Sequence, residues 1–329
     1  MDKKQWLLPA AVVFCLTAAM LSLLLGAVGL SPAQLWQALA EGPKSTAGYI
    51  FWYARLPRTA ACLLSGAALS VSGAVIQAVL SNKLASPGII GVNAGAGLAV
   101  TVCCALGLLS GWVIALAAFG GAMISVLLVM FAAEKTGASR TTVILGGVAV
   151  NSFLGALSEA LTTLVPDAGV LSGDFRVGGF SSVVPVRLVP AGILICAALV
   201  ILLTLHNDLD VLALGEETAR SLGMPVKRMR TFFLVLAAML AGASVSFAGL
   251  LGFVGLIIPH AMRSLVGSES RCLLPLCAIG GAGFVTLCDL AARLLFIPYE
   301  LPVGILMSVL GGPFFLMLLM KRKGGRAYA

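Results

Sequence analysis

Charge is scarce in this chain. Of 329 residues only 10% are Asp, Glu, Lys or Arg, while 60% are hydrophobic; an ordinary soluble domain carries roughly 25% charge. That balance excludes a soluble domain and leaves a polytopic membrane protein. Histidine is scarcer still, at two residues, His206 and His260, so a histidine-rich metal path is not expected. The eight cysteines lie in or beside apolar runs without paired metal-ligand spacing, and read as small buried hydrophobes. No metal site is predicted. No G-x-x-x-x-G-K-[ST] loop occurs, so the chain does not cradle nucleotide phosphates by that device. Nor does any grouping of nucleophile, base and oxyanion donors suggest chemistry on a substrate, and no enzyme activity is expected.

Long apolar runs are what the chain has in abundance. Each needs roughly 20 residues to cross a hydrocarbon core, and ten such spans are predicted: Leu7 to Leu30, Pro57 to Leu80, Ile89 to Leu109, Trp112 to Ala133, Thr141 to Val165, Leu188 to Leu205, Thr231 to Leu251, Gly252 to Val266, Cys272 to Ile297, and Pro302 to Met320. The reading is an all-α integral membrane protein with one transmembrane domain, 1–329. With the N-terminus inside, six of the 21 Lys and Arg fall outside (Lys44, Arg55, Arg58, Arg176, Arg187, Arg293) and fifteen inside. That excess follows the positive-inside rule, and puts both termini in the cytoplasm of a plasma (inner) membrane protein. The formal charge of +8 therefore reports topology and anionic lipid rather than nucleic acid. The first run is too long for a signal-peptide core of roughly 7 to 15 residues, and is read as a retained helix.

Between Thr231 and Val266 no charge precedes Arg263, and at about 1.5 Å per residue that run is too long for one crossing. It must fold back, with Gly249, Gly252 and Gly255 as the expected bend. Small residues crowd spans two and three, from Ser65-Gly66-Ala67-Ala68 and Ser72-Gly73 to Gly91, Gly95 and Gly97, where they let helix backbones approach closely. Gly66-Ala67 followed by Gly73 is echoed by Gly242-Ala243 followed by Gly249, a weak sign of an inverted repeat.

The charges that do occur are concentrated. Eight lie between Asn207 and Arg230, in a segment that reads as a short helix with Gly223 and Pro225 as stop signals. A partner protein is expected to dock there. Asp289 and Arg293, four apart in the ninth span, fall on one helical face as a structural ion pair. Glu159, in the fifth span, has no local partner and is a candidate for a water-filled path. Arg55, Arg58 and Arg293 share one depth and form an expected anion-recognition patch.

Several motifs occur in a characteristic order: Arg55-Leu-Pro-Arg58; Gln77 to Asn82; Leu84-Ala85; Pro87-Gly88; Leu145-Gly-Gly-Val-Ala149; Leu212-Ala-Leu-Gly-Glu-Glu-Thr-Ala-Arg-Ser-Leu-Gly223; Gly252-Phe-Val-Gly-Leu-Ile-Ile-Pro-His260; Glu300-Leu-Pro-Val-Gly304. Together they resemble the permease subunits of type II ABC importers for iron-siderophores, haem and cobalamin, the FecCD family. The resemblance implies a ten-span permease fold that pairs with a second permease copy or paralogue. It also implies two ABC ATPase subunits holding the ATP and magnesium, and an extracytoplasmic substrate-binding protein. No cofactor is then bound by this chain. An iron-siderophore is the commonest cargo of the family, with haem and cobalamin as alternatives.

On the same resemblance, Gly215, Glu216, Glu217, Ala219, Arg220, Leu222 and Gly223, within the loop at about 207–230, form a coupling helix seated on the ATPase. Arg55, Arg58 and Arg293 dock the binding protein. Gln77, Asn82, Lys83, Arg140, Thr141 and Thr142, with Glu159, are the gate and path candidates. The chain departs from the family pattern at Lys83, Asn93 and Leu171-Ser-Gly-Asp-Phe175, in the gate and the outer mouth. The competing reading is an ion-coupled secondary transporter in which Glu159 or Asp289 carries the ion. A passive channel lacks its repeated filter motif.

Overall fold

The computed structural model describes residues 3–26, 31–135 and 140–323, and among them every regular element is helical. The first span is α1, Lys3–Leu24; residues 27–30, expected to complete it, lie outside the described residues. Helix α2, Pro32–Glu41, was not expected. It starts at a capping box in which Ser31 and Gln34 satisfy each other's backbone N–H groups, with Pro32 in its first turn. Helix α3, Thr46–Tyr49, continues through a π-helical segment, Ile50–Arg55, into α4, Leu56–Val79. Pro57 has no N–H to donate back along the helix, and the wider turn before it accommodates its ring. The Trp52 indole N–H pins this segment to α2 through the Ala38 carbonyl at 2.9 Å.

The rest of the chain runs α5 (Val92–Ala105), α6 (Gly111–Lys135), α7 (Arg140–Leu164), α8 (Pro166–Val177), α9 (Pro185–Thr204), α10 (His206–Ala213), α11 (Glu216–Ser221), α12 (Val226–Ala248), α13 (Val254–Val266), α14 (Ser270–Leu294) and α15 (Val303–Lys323). Among the described residues seven helices are long and apolar enough to cross a membrane, and three shorter apolar ones (Val92–Ala105, Val254–Val266, Val303–Met317) complete the expected ten. The third and eighth spans are shorter than the apolar runs that announced them.

Helices α4, α12 and α14 form the interior. Their apolar windows are 78%, 67% and 72% buried, against 11% for α1. Small residues explain why they approach so closely. A Cβ added at Gly66 would overlap the Gly281 carbonyl, and one at Gly73 the Gly255 carbonyl. Ser65 and Ser244 hydroxyls meet at 2.5 Å, while Ser70 and Ser72 donate to the Cys277 and Ala237 carbonyls, each at 2.6 Å. These bonds tie α4 to both neighbours where apolar burial gives little drive. Replacing Gly73 with alanine is accordingly expected to cost about 1 to 3 kcal/mol by forcing α13 away, read as a lower unfolding midpoint in detergent; an unchanged midpoint would show that the contact yields freely.

The repeat echo has a partial counterpart in packing. Gly66 of the second span lies against the ninth, and Gly242 of the seventh against Phe119 and Ala122 of the fourth. Gly73 and Gly249 differ: the first is a close approach on a helix, the second a turn at φ +69 that lies against the Phe175 carbonyl. The bend before α13 is also built differently from expectation. Gly249 does turn the chain, but the other left-handed residue is Phe253, at φ +65, rather than Gly252 or Gly255. A Cβ at Gly311 would overlap the Phe253 ring, so packing on α15 holds this strained residue. Gly255 serves the contact with α4 instead.

Candidate functional sites at the two ends of the bundle

At one end the start of α4, the end of α14 and the loop after it bring together the expected arginines. Arg58 grips Asp289 with its guanidinium fork, Nε to Oδ2 at 3.0 Å and Nη2 to Oδ1 at 3.0 Å, a bidentate geometry that favours strong pairing. Its Nη1 donates to Glu300 at 2.6 Å. Arg293 Nε lies 3.1 Å from Asp289, as the spacing of four predicted, and its Nη2 donates to Ser22 at 2.8 Å. Arg55 donates to the Leu23 carbonyl at 2.6 Å. Three cations thus face two carboxylates.

This cluster corrects the picture of a surface arginine patch. Arg55 and Arg293 are only 5% and 4% exposed, and Asp289 is fully enclosed. Desolvation explains the arrangement: a guanidinium among apolar helices needs internal acceptors. The open edge of the cluster is Arg58 with half-exposed Glu300. Beside it lies a cavity of about 200 Å³ lined by all three arginines with Glu300, Gly26 and Ala54.

At the opposite end of α4 and α14 sits the charged segment. It forms two helices rather than one, with a sharp turn at Gly215, φ +125, between α10 and α11, and Gly223, φ +82, just after α11. Glu216 and Glu217 are not equivalent. Glu216 accepts from buried Arg230 at 2.9 Å and from Arg220 at 2.6 Å, bracing α11 against α12. Glu217 is exposed beside Arg220, Ser221 and Leu222, while Ala219 is buried beneath them. Arg140, at the first residue of α7, donates to the Leu212 carbonyl at 2.9 Å, and Lys227 pairs with Glu134. Arg140 therefore ties α7 to the α10–α11 unit, and Lys227 ties α6 to α12.

The Arg230 hydrogen bond, opposed by partial burial and joined by the charges of Arg230, Arg220 and Arg140, holds the Glu216 carboxyl below its ordinary range. A depressed folded pKa means that the brace contributes stability above the unfolded carboxylate value and loses it as pH falls through the lower folded one. Hydrogen exchange of α11, corrected for its intrinsic pH dependence, is expected to stay slow from neutral pH to about 4.3 and to quicken only below. Quickening already at pH 6 would contradict the brace.

The gate candidates do not form one site. Gln77 is buried, donating to the Gly255 carbonyl at 3.2 Å and accepting from Arg263 at 2.8 Å; it is a brace inside the bundle rather than an open path group. Asn82 is half-buried and its side chain closes its own turn through the Leu84 N–H at 2.9 Å. Lys83 and Thr141 are exposed, and Thr142 half-buried. Glu159 is exposed, about 27 Å along α7 from Thr141 at the helical rise. Asn151, not singled out from the sequence, ties α7 to the chain before α5 through the Gly88 and Ile89 carbonyls, at 2.8 and 3.1 Å. Glu300, Arg230, Asp210 and Ser22 were likewise missed as contact residues, since their partners lie in other helices.

Ten apolar helices among the described residues, with an exposed, braced helix at one end and a charge cluster at the other, define a multi-pass transport subunit. The FecCD transport family model matches residues 14–321, and the chain belongs to that family. It is similar to the vitamin B12 import system permease protein BtuC of Salmonella paratyphi A, 39% identical over 96% of this chain and 95% of the relative. The corresponding Salmonella typhi protein is 38% identical with the same coverage. Among solved structures, an inward-facing conformation of a putative metal-chelate type ABC transporter superposes with a TM-score of 0.86 at 29% identity, covering 95% and 98% of the two chains. PsaBC from Streptococcus pneumoniae in complex with Fab shares the fold, with a TM-score of 0.57 at 16% identity over 86% and 94%. The chain is a plasma-membrane permease subunit of an ABC importer; the hydrolysis of ATP belongs to separate ATPase partners, and a second permease copy completes the membrane part. Secondary transport is not favoured, and Asp289, with both oxygens gripped by arginines, is poorly placed to carry an ion.

Proposed function

We propose that this permease moves a bulky metal chelate inward, a corrinoid first and an iron-siderophore second. The observation that carries the order is the 38 to 39% identity, along 96% of the chain, to permeases named for vitamin B12 import. The exposed face of α11, with Glu217, Arg220 and Leu222, rests on the ATPase and transmits its closure through the Glu216 brace and the Arg140 tie. An extracytoplasmic binding protein docks at the arginine end, where its carboxylates enter the cavity beside Arg58 and compete with Glu300. Such charges act on encounter and orientation more than on affinity. Asn82, Lys83, Thr141 and Thr142 belong to the gate, and both termini face the cytoplasm.

The test is recovery of the tagged chain from its native membrane in mild detergent, followed by uptake of radiolabelled cyanocobalamin and of a ferric siderophore. Co-purification of a P-loop ATPase and a chelate-loaded binding protein, with cobalamin accumulating, is the expected result. Siderophore uptake alone would move the cargo to the second reading. A stable self-assembly without ATPase, even after crosslinking, would sink the importer mechanism.

A further inference from the structure

The end of the bundle that carries α11 also holds a cavity of about 250 Å³ between the end of α4, the loop after it, α10 and the first turn of α14. Two cations line it, Lys83 and Arg263, with one carboxylate, Asp210, and the serines 81, 268 and 270. Arg263 is half-buried. A guanidinium has five N–H donors, and among the described residues the one side-chain partner of Arg263 is the neutral amide oxygen of Gln77, at 2.8 Å. Asp210 does not neutralise it: both carboxylate oxygens accept the Ser270 N–H, at 3.0 and 3.2 Å, and neither Arg263 nor Lys83 forms an ion pair with a described residue.

A half-desolvated guanidinium without an anion is costly. From the cavity, its lining and this unmet charge we infer a site for a phosphate group. A planar fork, a mobile ammonium and several hydroxyls suit a tetrahedral oxyanion with many acceptor atoms. The cavity exceeds what a bare phosphate fills and leaves room for an ester substituent. It also lies at the ends of apolar helices, the depth at which basic pockets between helices take acidic lipid headgroups. The ligand is a lipid phosphodiester or inorganic phosphate. Neither depends on the transport cargo, so failure here would leave the importer assignment untouched.

The test uses the purified full chain. Native mass spectrometry after exposure to phosphatidylglycerol or phosphatidylcholine is paired with thermal unfolding in inorganic phosphate or chloride at matched ionic strength. Selective retention of phosphatidylglycerol, displaced by phosphate, identifies the lipid source; stabilisation by phosphate without lipid retention identifies the free anion. In either case Lys83→Glu and Arg263→Gln should weaken binding at least about fivefold, the worth of one basic residue near a lipid surface. Lys83 is exposed, so its variant should fold normally. No preference for phosphatidylglycerol or phosphate over the controls, or equal binding by both variants, overturns the proposal.

Discussion

Replacing Asp289 with asparagine is expected to destabilise the permease by about 3 to 5 kcal/mol, the usual cost of leaving buried charges without their partner. The substitution keeps the shape of the side chain but removes its charge and turns one of its two acceptor oxygens into a donor. Asparagine keeps one oxygen, so Arg58 holds one acceptor while the other of its Nε and Nη2 donors, both now at 3.0 Å, meets an NH2 group, and Arg293 loses the carboxylate 3.1 Å away. Arg55 stands at the same end of the bundle, so three guanidinium groups would share half-exposed Glu300. Hydrophobic replacement elsewhere in the cluster should relieve part of the damage. Unfolding of D289N in nanodiscs, alone and combined with Arg293→Leu, measures this; the double variant should be more stable than the sum of the single losses predicts. If D289N unfolds within about 1 kcal/mol of the wild type, the cluster behaves as a hydrated surface network and its structural role is wrong.

A second large effect is expected at Glu216. Lysine there exchanges two ion pairs for repulsion against Arg230 and Arg220, with Arg140 nearby, and releases α11 from α12. Uptake should fall roughly tenfold or more, the factor that about 1.4 kcal/mol of lost coupling produces, while α11 exchanges its amide hydrogens faster in the isolated permease. Glu217→Lys is the informative contrast. Its side chain is exposed on the outer face of α11, so it should leave the isolated permease unchanged and weaken only association with the ATPase. Equal behaviour of the two variants in both measurements would remove the distinction between brace and contact surface. Normal uptake by E216K would end the coupling role of α11 altogether.

The contrast between these glutamates marks the boundary of what can be read along a chain. Apolar run length is a local property fixed by bilayer thickness, so the spans were legible, including the fold-back between Thr231 and Val266. Asp289 and Arg293 were legible as a pair because four residues make one helical turn. The charged segment at 207–230 stood out by composition, and the order of short motifs carried the family.

Other features are decided between helices. Arg58 and Asp289 are 231 residues apart and Arg263 and Gln77 are 186 apart; nothing local announces which will share a depth. Helical periodicity also could not show that Arg55 and Arg293 turn inward, since an arginine near a span end can equally snorkel toward water. Glu300 and Asp210 found their roles in the same way, through partners that only packing supplies. The sequence by itself determined the membrane-spanning class, the ten apolar spans and the family. The tertiary structure decided which charges are buried, paired or left facing a cavity, because desolvation and ion pairing depend on the three-dimensional surroundings of each group and not on its neighbours in the chain.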